Sequence, residues 1–214
     1  MSTTFDVFPS RDDVPTFRAL LDVASAHLNT FLADHSVRRE VALTVELRTT
    51  DDASRNLLTD LDGPCWWPSS QYAWFTVPGV PGGTDAYADK MQPDADGYDL
   101  GRSILTEEIV GPKANEFGDL IGQALRVGRR WSFRRSAGQP AVINVAYGLL
   151  AGSLAQLTDG IIHSIDSAWD HRLLPARAAE FLSRYFRPER TEDPEWRGWA
   201  AECIESLADE LKAE

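Results

Sequence analysis

The chain has 214 residues, 43% hydrophobic and 25% charged, so it can bury one sizeable core without a disulfide or a metal. Its 33 acidic residues outnumber the 21 basic ones, and the net charge of −12 disfavours binding to nucleic acid or to an anionic membrane surface. The same charge favours solubility or a basic protein partner.

The first third of the chain predicts alternating strands and helices. Residues 4–8 have the pattern of a short strand, and a helix follows with Asp13 near its cap and Pro15 in its first turn. The apolar residues of that helix recur at a spacing of 3.6: Phe17, Leu20, Leu21, Ala24, Leu28, Phe31 and Leu32. Strict alternation over residues 41–48 predicts a half-buried antiparallel strand, and residues 72–77 predict another, rich in aromatics.

Residues 84–120 are dominated by acids. Nine carboxylates lie there against three basic residues, Lys90, Arg102 and Lys113. The acids are Asp85, Asp89, Asp94, Asp96, Asp99, Glu107, Glu108, Glu116 and Asp119. This composition predicts a solvated, partly helical insertion whose helix continues to about Val127.

The second half begins with a strand at residues 130–134, in which Trp131 and Phe133 face one way. Residues 136–158 form an uncharged stretch that is long enough to cross a bilayer. Polar residues within this stretch instead favour a buried core helix that starts at about Pro140. A buried strand is predicted at residues 160–165. Helices are predicted over residues 176–186 and again after Pro194.

Together these segments predict an α+β fold in a single domain of residues 1–214. A mainly antiparallel sheet is covered by helices as a two-layer sandwich, with residues 84–120 as an acidic insertion and a helical C-terminal region at residues 176–214. Cys65 and Cys203 have no Cys or His at metal-ligand spacing, and we expect both to be buried thiols in a reducing compartment. The first residues have no basic region followed by an apolar run, so we expect no secretion signal. We therefore expect a cytoplasmic protein with no metal and no cofactor.

Five arginines cluster within ten residues that contain no acid: Arg126, Arg129, Arg130, Arg134 and Arg135. Ser136 then leads into the start of the uncharged helix, where backbone N–H groups and the helix dipole attract anions. Arg134, Arg135 and Ser136 are therefore candidate anion-binding residues. The alternative is that these arginines pair with the surplus carboxylates of neighbouring elements.

A second cluster of polar residues stands where the strand at 160–165 ends. His163, Asp166 and Asp170, followed by His171, could supply an acid–base pair for catalysis or three metal ligands. The aspartates are equally what a turn or a helix cap requires, and no metal-ligand spacing is present. His163, Asp166 and Asp170 are kept as candidate catalytic residues beside this structural interpretation.

Tryptophans provide the third set of candidates. Trp66 and Trp67 lie in a proline-bounded loop, while Trp131 and Trp169 flank the clusters described above. If Trp66 and Trp67 are exposed together, they could stack on a sugar or a nucleobase or form a protein interface, although the net charge argues against nucleic acid. If they are buried, they pack as a loop over the sheet. The four are candidate partner-binding residues.

Two stretches carry a resemblance: residues 131–140, WSFRRSAGQP, and residues 157–162, LTDGII, followed by SAWD at 167–170. They resemble small bacterial cytosolic α+β proteins of uncharacterised function, some of which are similar to immunity proteins of toxin systems. That resemblance implies a binding role and supplies no catalytic motif.

The sequence contains no G-x-S-x-G, H-E-x-x-H, C-x-x-C or nucleotide-binding loop, which weakens the case for a familiar enzyme class. The leading hypothesis is a non-enzymatic, immunity-like protein that neutralises a basic protein partner. The alternative is an enzyme or small-molecule binder that holds an anionic ligand at the Arg/Ser helix N-terminus, with a His or Asp acid–base group. A homodimer through the C-terminal helices, with Trp196 and Trp199 at its interface, is a third hypothesis.

Overall fold

An eight-stranded antiparallel sheet organises the chain in this computed structural model, which describes residues 2–52, 56–57, 59–109 and 114–212. The strands are β1 (Thr3–Phe8), β2 (Thr44–Thr49), β3 (Asn56–Leu57), β4 (Gln71–Thr76), β5 (Thr84–Lys90), β6 (Arg129–Arg135), β7 (Ile161–His163) and β8 (Ala176–Arg177). Their order across the sheet is β3-β2-β4-β5-β6-β1-β7-β8. The predicted α+β class, with an antiparallel sheet covered by helices and a helical C-terminal third, is confirmed.

Six α-helices accompany the sheet in the described residues. They are α1 (Phe17–Asp34), α2 (Leu100–Ser103), α3 (Ala114–Val127), α4 (Ala141–Thr158), α5 (Ala178–Arg184) and α6 (Pro194–Glu210). A π-helical turn at Ile104–Glu108 continues α2, and a 3-10 turn at Pro188–Arg190 precedes α6. The predicted helix end at Val127 and the predicted start after Pro194 both agree with these bounds.

The uncharged helix α4 is the centre of the main core. It packs on β1, β6 and β7 and is itself covered by α1, α5 and α6. By length and composition it could cross a membrane, but 89% of it is buried inside the domain, as expected for the core helix of a soluble protein. Gly148 and Gly152 allow this close packing, since Tyr185 and Leu182 lie directly against their backbones.

Side chains alternate between the two faces of the sheet. Phe5 and Phe133 contribute to the core beneath α4, where Phe5 also contacts the ring of Tyr147 with 4.8 Å between ring centroids. Phe8 and Ile161 face the other way and form a second core with residues of the π-helical turn and α3. Helices therefore cover most of the face that carries Phe5 and Phe133. On the opposite face, the π-helical turn and α3 cover only the end where Phe8 and Ile161 lie.

Strand β5 is the main departure from the sequence-based expectation. Residues 84–90, predicted to begin the acidic insertion, form a strand between β4 and β6 in the middle of the sheet. Its core-facing residues are small, with Ala86 opposite Phe133 and Ala88 opposite Trp131. The strand therefore lacks a hydrophobic alternation, because the aromatic rings of β6 occupy the space beside its alanines. Residues 110–113, including Lys113, lie outside the described residues.

Two helix starts also differ from expectation. Helix α1 begins at Phe17, and its cap is Thr16, whose hydroxyl accepts a hydrogen bond of 3.1 Å from the N–H of Ala19. Asp13 instead pairs with Arg11. Residues 176–177, predicted as helix, form β8 because they pair with β7 before α5 begins.

Candidate functional site

Arg134 and Arg135 project from opposite faces of β6, so they do not grip one anion together as predicted. Arg134 faces the partly open side of the sheet, where its Nε donates a 2.8 Å hydrogen bond to Asp85. This hydrogen bond raises the pKa of the Arg134 guanidinium. Arg135 faces the α4 side and is buried. The correction follows from the period of two in a strand, which separates adjacent residues.

Most of the arginine cluster is neutralised within the chain. Arg129 pairs with Asp12 at 2.9 Å, and Arg130 lies 3.3 Å from Asp89 and 3.8 Å from Asp6. With Arg134, these residues follow the alternative stated above, in which the arginines bind surplus carboxylates of other elements.

The start of α4 is also occupied by an acid of the chain itself. Glu210, in the last turn of α6, accepts hydrogen bonds of 2.7 and 3.0 Å from the N–H groups of Ala141 and Val142. Ser136 is exposed, and within the described ranges it forms no hydrogen bond with this carboxylate. The anion that the helix N-terminus was expected to attract is therefore a carboxylate supplied 68 residues later.

The candidate catalytic residues divide between two places. His163 is buried on β7 directly opposite Asp6 of β1. Asp166 follows β7 and accepts 2.9 Å hydrogen bonds from the N–H of Thr4 and from the hydroxyl of Ser164. Thr4 is in turn the cross-strand partner of Arg134, so His163, Asp166 and Arg134 share one end of the sheet.

Asp170 lies apart from that group and has a structural role. Its carboxylate accepts hydrogen bonds from the N–H groups of Arg172, Glu192 and Asp193, at 3.0 to 3.1 Å. Burial acts to raise the pKa of Asp170, but these backbone donors outweigh it and hold the pKa below its usual value. The side chain joins the segment after β7 to the start of α6, as the turn-and-cap interpretation anticipates.

Asp6, which the sequence did not single out, is a buried acid in the middle of the sheet. Its carboxylate accepts a 2.6 Å hydrogen bond from the hydroxyl of Ser132. Burial raises the pKa of Asp6, while Arg130 and Ser132 oppose this rise. Only the register of β1 against β6 reveals this contact, since the two residues are 126 positions apart.

Three of the four candidate tryptophans are core residues, which corrects their proposed contact with a partner. Trp67, Trp131 and Trp169 are buried, and the indole N–H of Trp131 donates a 2.9 Å hydrogen bond to the carbonyl of Cys65. Trp66 is half-buried, edge-on to Trp131 and beneath Arg129. Large rings stabilise a core more than a solvated surface, and here they fill the space around α4 and β6.

Three large apolar side chains of the described residues are exposed; one is Ile165 after β7, and the other two lie together in another part of the chain. Tyr98 is 52% exposed and Leu100 is 39% exposed, and both belong to the acidic part of the chain. A hollow of about 350 Å³ lies beside them, and its lining includes the acidic Asp89, Asp94 and Asp99 together with the basic Lys90 and Arg130. An aromatic and an aliphatic side chain displayed among carboxylates are typical of a protein-binding surface.

The loop that carries Tyr98 is held by its own hydrogen bonds. The Asp94 carboxylate accepts 2.9 Å bonds from the N–H groups of Asp96 and Tyr98, and the Asp94 N–H donates to the Tyr98 carbonyl at 2.8 Å. Gly97 adopts φ of +80° at the turn, a conformation that glycine tolerates without strain. Asp99 then caps α2 by accepting a 3.0 Å bond from the N–H of Arg102. We call residues 93–100 the Tyr98 loop.

Negative charge around the Tyr98 loop is largely uncompensated. In the described part of residues 89–119, which we call the acidic segment, six exposed carboxylates have no basic side chain within 4.0 Å. They are Asp94, Asp96, Glu107, Glu108, Glu116 and Asp119. The segment is nevertheless anchored, because Ile104, Leu105 and Phe117 are buried against Phe8 and Ile161 of the sheet. It therefore presents its charge from a fixed position.

No group of three or more His, Cys, Asp or Glu residues among those described could hold a metal ion. Comparison with protein-family models, with curated proteins and with solved structures finds no match.

Proposed function

We propose that this protein is a non-enzymatic binding module that neutralises a basic protein partner, in the manner of the immunity proteins of bacterial toxin systems. The observation that carries the proposal is the Tyr98 loop, in which Tyr98 and Leu100 are exposed in the same loop as Asp94 and Asp96, two exposed carboxylates that have no basic partner in the described part of the chain. Aromatic anchors at the centre of an interface supply most of its affinity, and surrounding charge supplies rate and specificity.

The internal bonding of the loop supports this role. The Asp94 hydrogen bonds fix the loop before any partner arrives, and the second core holds the acidic segment on the sheet. A surface that is already ordered loses less conformational entropy on binding. Lys and Arg side chains of the partner would meet Asp94 and Asp96, while its apolar groups would cover Tyr98 and Leu100.

The proposed location is the bacterial cytoplasm. Cys65 and Cys203 are both free and buried, which suits a reducing compartment. A homodimer through α6 stays a prediction. Within one chain, Trp196 and Trp199 already pack against the buried Trp169, at 5.3 and 6.2 Å between ring centroids, and this accounts for both side chains without a second copy.

The test uses immobilised wild type, Tyr98→Ala and Ile165→Ala as baits for cytosol of the native host at low salt. Ile165 is also exposed, at 53%, but it follows β7 at the end of the sheet away from the second core, so it controls for the loss of any exposed apolar group. We expect wild type and Ile165→Ala to capture the same basic protein, and Tyr98→Ala to capture about tenfold less or lower still, as for a hot-spot residue. Equal capture by all three baits would exclude the Tyr98 loop as the binding surface.

A further inference from the structure

A groove between the start of α4 and helix α6 forms a second candidate site, which shares no residue with the acidic segment. Its volume is about 540 Å³. The loop at residues 136–139 forms one side, and Trp196, Trp199 and Glu202 of α6 contribute to the other. Arg135 contributes to its lining from the end of β6.

Arg135 is a buried cation whose neighbours are neutral. The residue is 9% exposed, and its guanidinium donates 3.2 Å hydrogen bonds to Asn144 Oδ1 and Thr3 Oγ1. The rings of Tyr147 and Trp199 lie 5.3 and 4.7 Å from its guanidinium carbon. Across the described residues, no carboxylate comes within the 4.0 Å of an ion pair with it, whereas Arg134 next to it is paired with Asp85. Buried charges are normally paired, so Arg135 is suited to an anion from outside.

Glu210 lines the same groove but does not fill this role. Both of its carboxylate oxygens accept hydrogen bonds from the α4 N–H groups of Ala141 and Val142. The anion requirement of the helix N-terminus is thus met within the chain, while that of Arg135 is not. The groove retains one cationic group that can receive a carboxylate.

The α6 side of the groove is suited to a cation, whereas Arg135 is suited to an anion. Glu195 and Glu202 are exposed there, and neither forms an ion pair in the described part of the chain. The half-buried rings of Trp196 and Trp199 lie beside them, and indole faces attract ammonium groups. Carboxylates on this side repel a multiply charged anion such as phosphate and attract a cation.

We propose that the groove binds a small zwitterion, such as an amino acid or a betaine, whose carboxylate pairs with Arg135 and whose ammonium group lies between Glu202 and the α6 indoles. Both charges of the ligand are needed, because either one alone would face a group of its own sign. The site is independent of the proposed protein partner.

Intrinsic tryptophan fluorescence and calorimetry on the purified full chain test the proposal, with glycine betaine and the twenty standard L-amino acids as probes. At least one probe should bind saturably, and about tenfold more tightly than sodium acetate, tetramethylammonium chloride or inorganic phosphate. Failure of every zwitterion to bind, or equal binding by acetate, would overturn it.

Matched variants then locate the site. Glu202→Gln should weaken binding of the best probe about tenfold, whereas Glu205→Gln, on the same helix but outside the groove lining, should leave it unchanged. Arg135→Met should abolish binding, with thermal unfolding used to establish that it folds. If it does not fold, the Glu202 and Glu205 pair still decides: equal affinities in those two variants contradict the proposed position of the ammonium group.

Discussion

Arg134 and Arg135 are neighbours in sequence, yet their electrostatic surroundings are opposite. Arg134 is half-exposed and paired with Asp85, whereas Arg135 is buried among neutral groups. The alternation of Trp131 and Phe133 with polar residues is visible in the sequence and correctly predicts strand β6. Which arginine has a carboxylate partner is not visible, because Asp85 reaches Arg134 only through the pairing of β5 with β6.

Asp6 makes a pH-dependent contribution to stability whose sign follows from its raised pKa. An unfolded Asp releases its proton at about pH 3.9, while folded Asp6 retains it to a higher pH. Between these two values the folded state holds the extra proton, so stability falls as pH rises through that window. Asp6→Asn keeps an acceptor for Ser132 and removes the titration.

We therefore expect the unfolding free energy of wild type, minus that of Asp6→Asn, to be largest near pH 4 and to decrease towards pH 8. Urea unfolding at several pH values measures this difference. Ser132→Ala, which removes the donor of the 2.6 Å hydrogen bond but leaves the carboxylate, should retain a falling dependence. If the unfolding free energy of wild type minus that of Asp6→Asn is constant or rises with pH, burial does not raise the pKa of Asp6.

Among the elements, α4 and β5 show what sequence patterns can and cannot reveal. The absence of charge over residues 136–158, together with the polar residues within that stretch, correctly predicts α4 as a core helix. Strand β5 is hidden because its inward residues are alanines and its outward residues include Asp85 and Asp89. The cap of α4 by Glu210 is equally hidden, since only the packing of α6 on α4 brings the two together.

Substitution of two helical glycines by alanine should change the stability of the protein in opposite directions, because one glycine is tightly packed and the other is not. A Cβ at Gly148 would lie 2.2 Å from the ring of Tyr185, whose hydroxyl donates a 2.7 Å hydrogen bond to the carbonyl of Asn144. Gly148→Ala should therefore destabilise the protein by about 2–3 kcal/mol, as overpacking does. At Gly118 of α3 a Cβ meets nothing within 4 Å, so Gly118→Ala should stabilise the protein by up to about 1 kcal/mol through helix propensity.

Chemical denaturation of both variants measures these changes in unfolding free energy. Loss of stability at Gly118, or tolerance at Gly148, would contradict the packing of α4 against Tyr185 or the open surface of α3.

For the molecule as a whole, the net charge of −12 predicts a preference for basic partners but not where they bind. The structure separates these two questions. Eleven of the arginines and lysines form ion pairs with acids in the described residues, at positions 11, 18, 48, 102, 129, 130, 134, 172, 184, 187 and 212. Among the described residues the exposed Asp94 and Asp96 are left without such partners, and they lie in the same loop as the exposed ring of Tyr98.

Two charge reversals test most directly whether binding is local to the Tyr98 loop or a consequence of total charge. Asp96→Lys lies within the loop and Glu205→Lys lies on α6; both residues are exposed, and both changes alter the net charge by the same amount. Capture of basic host proteins by these baits should be compared with wild type at low salt and at about 0.5 M salt, where exposed charges are screened. We predict that Asp96→Lys loses most of the captured partner, that Glu205→Lys retains it, and that high salt weakens capture by wild type. Equal losses in the two variants, or capture indifferent to both, would contradict this prediction.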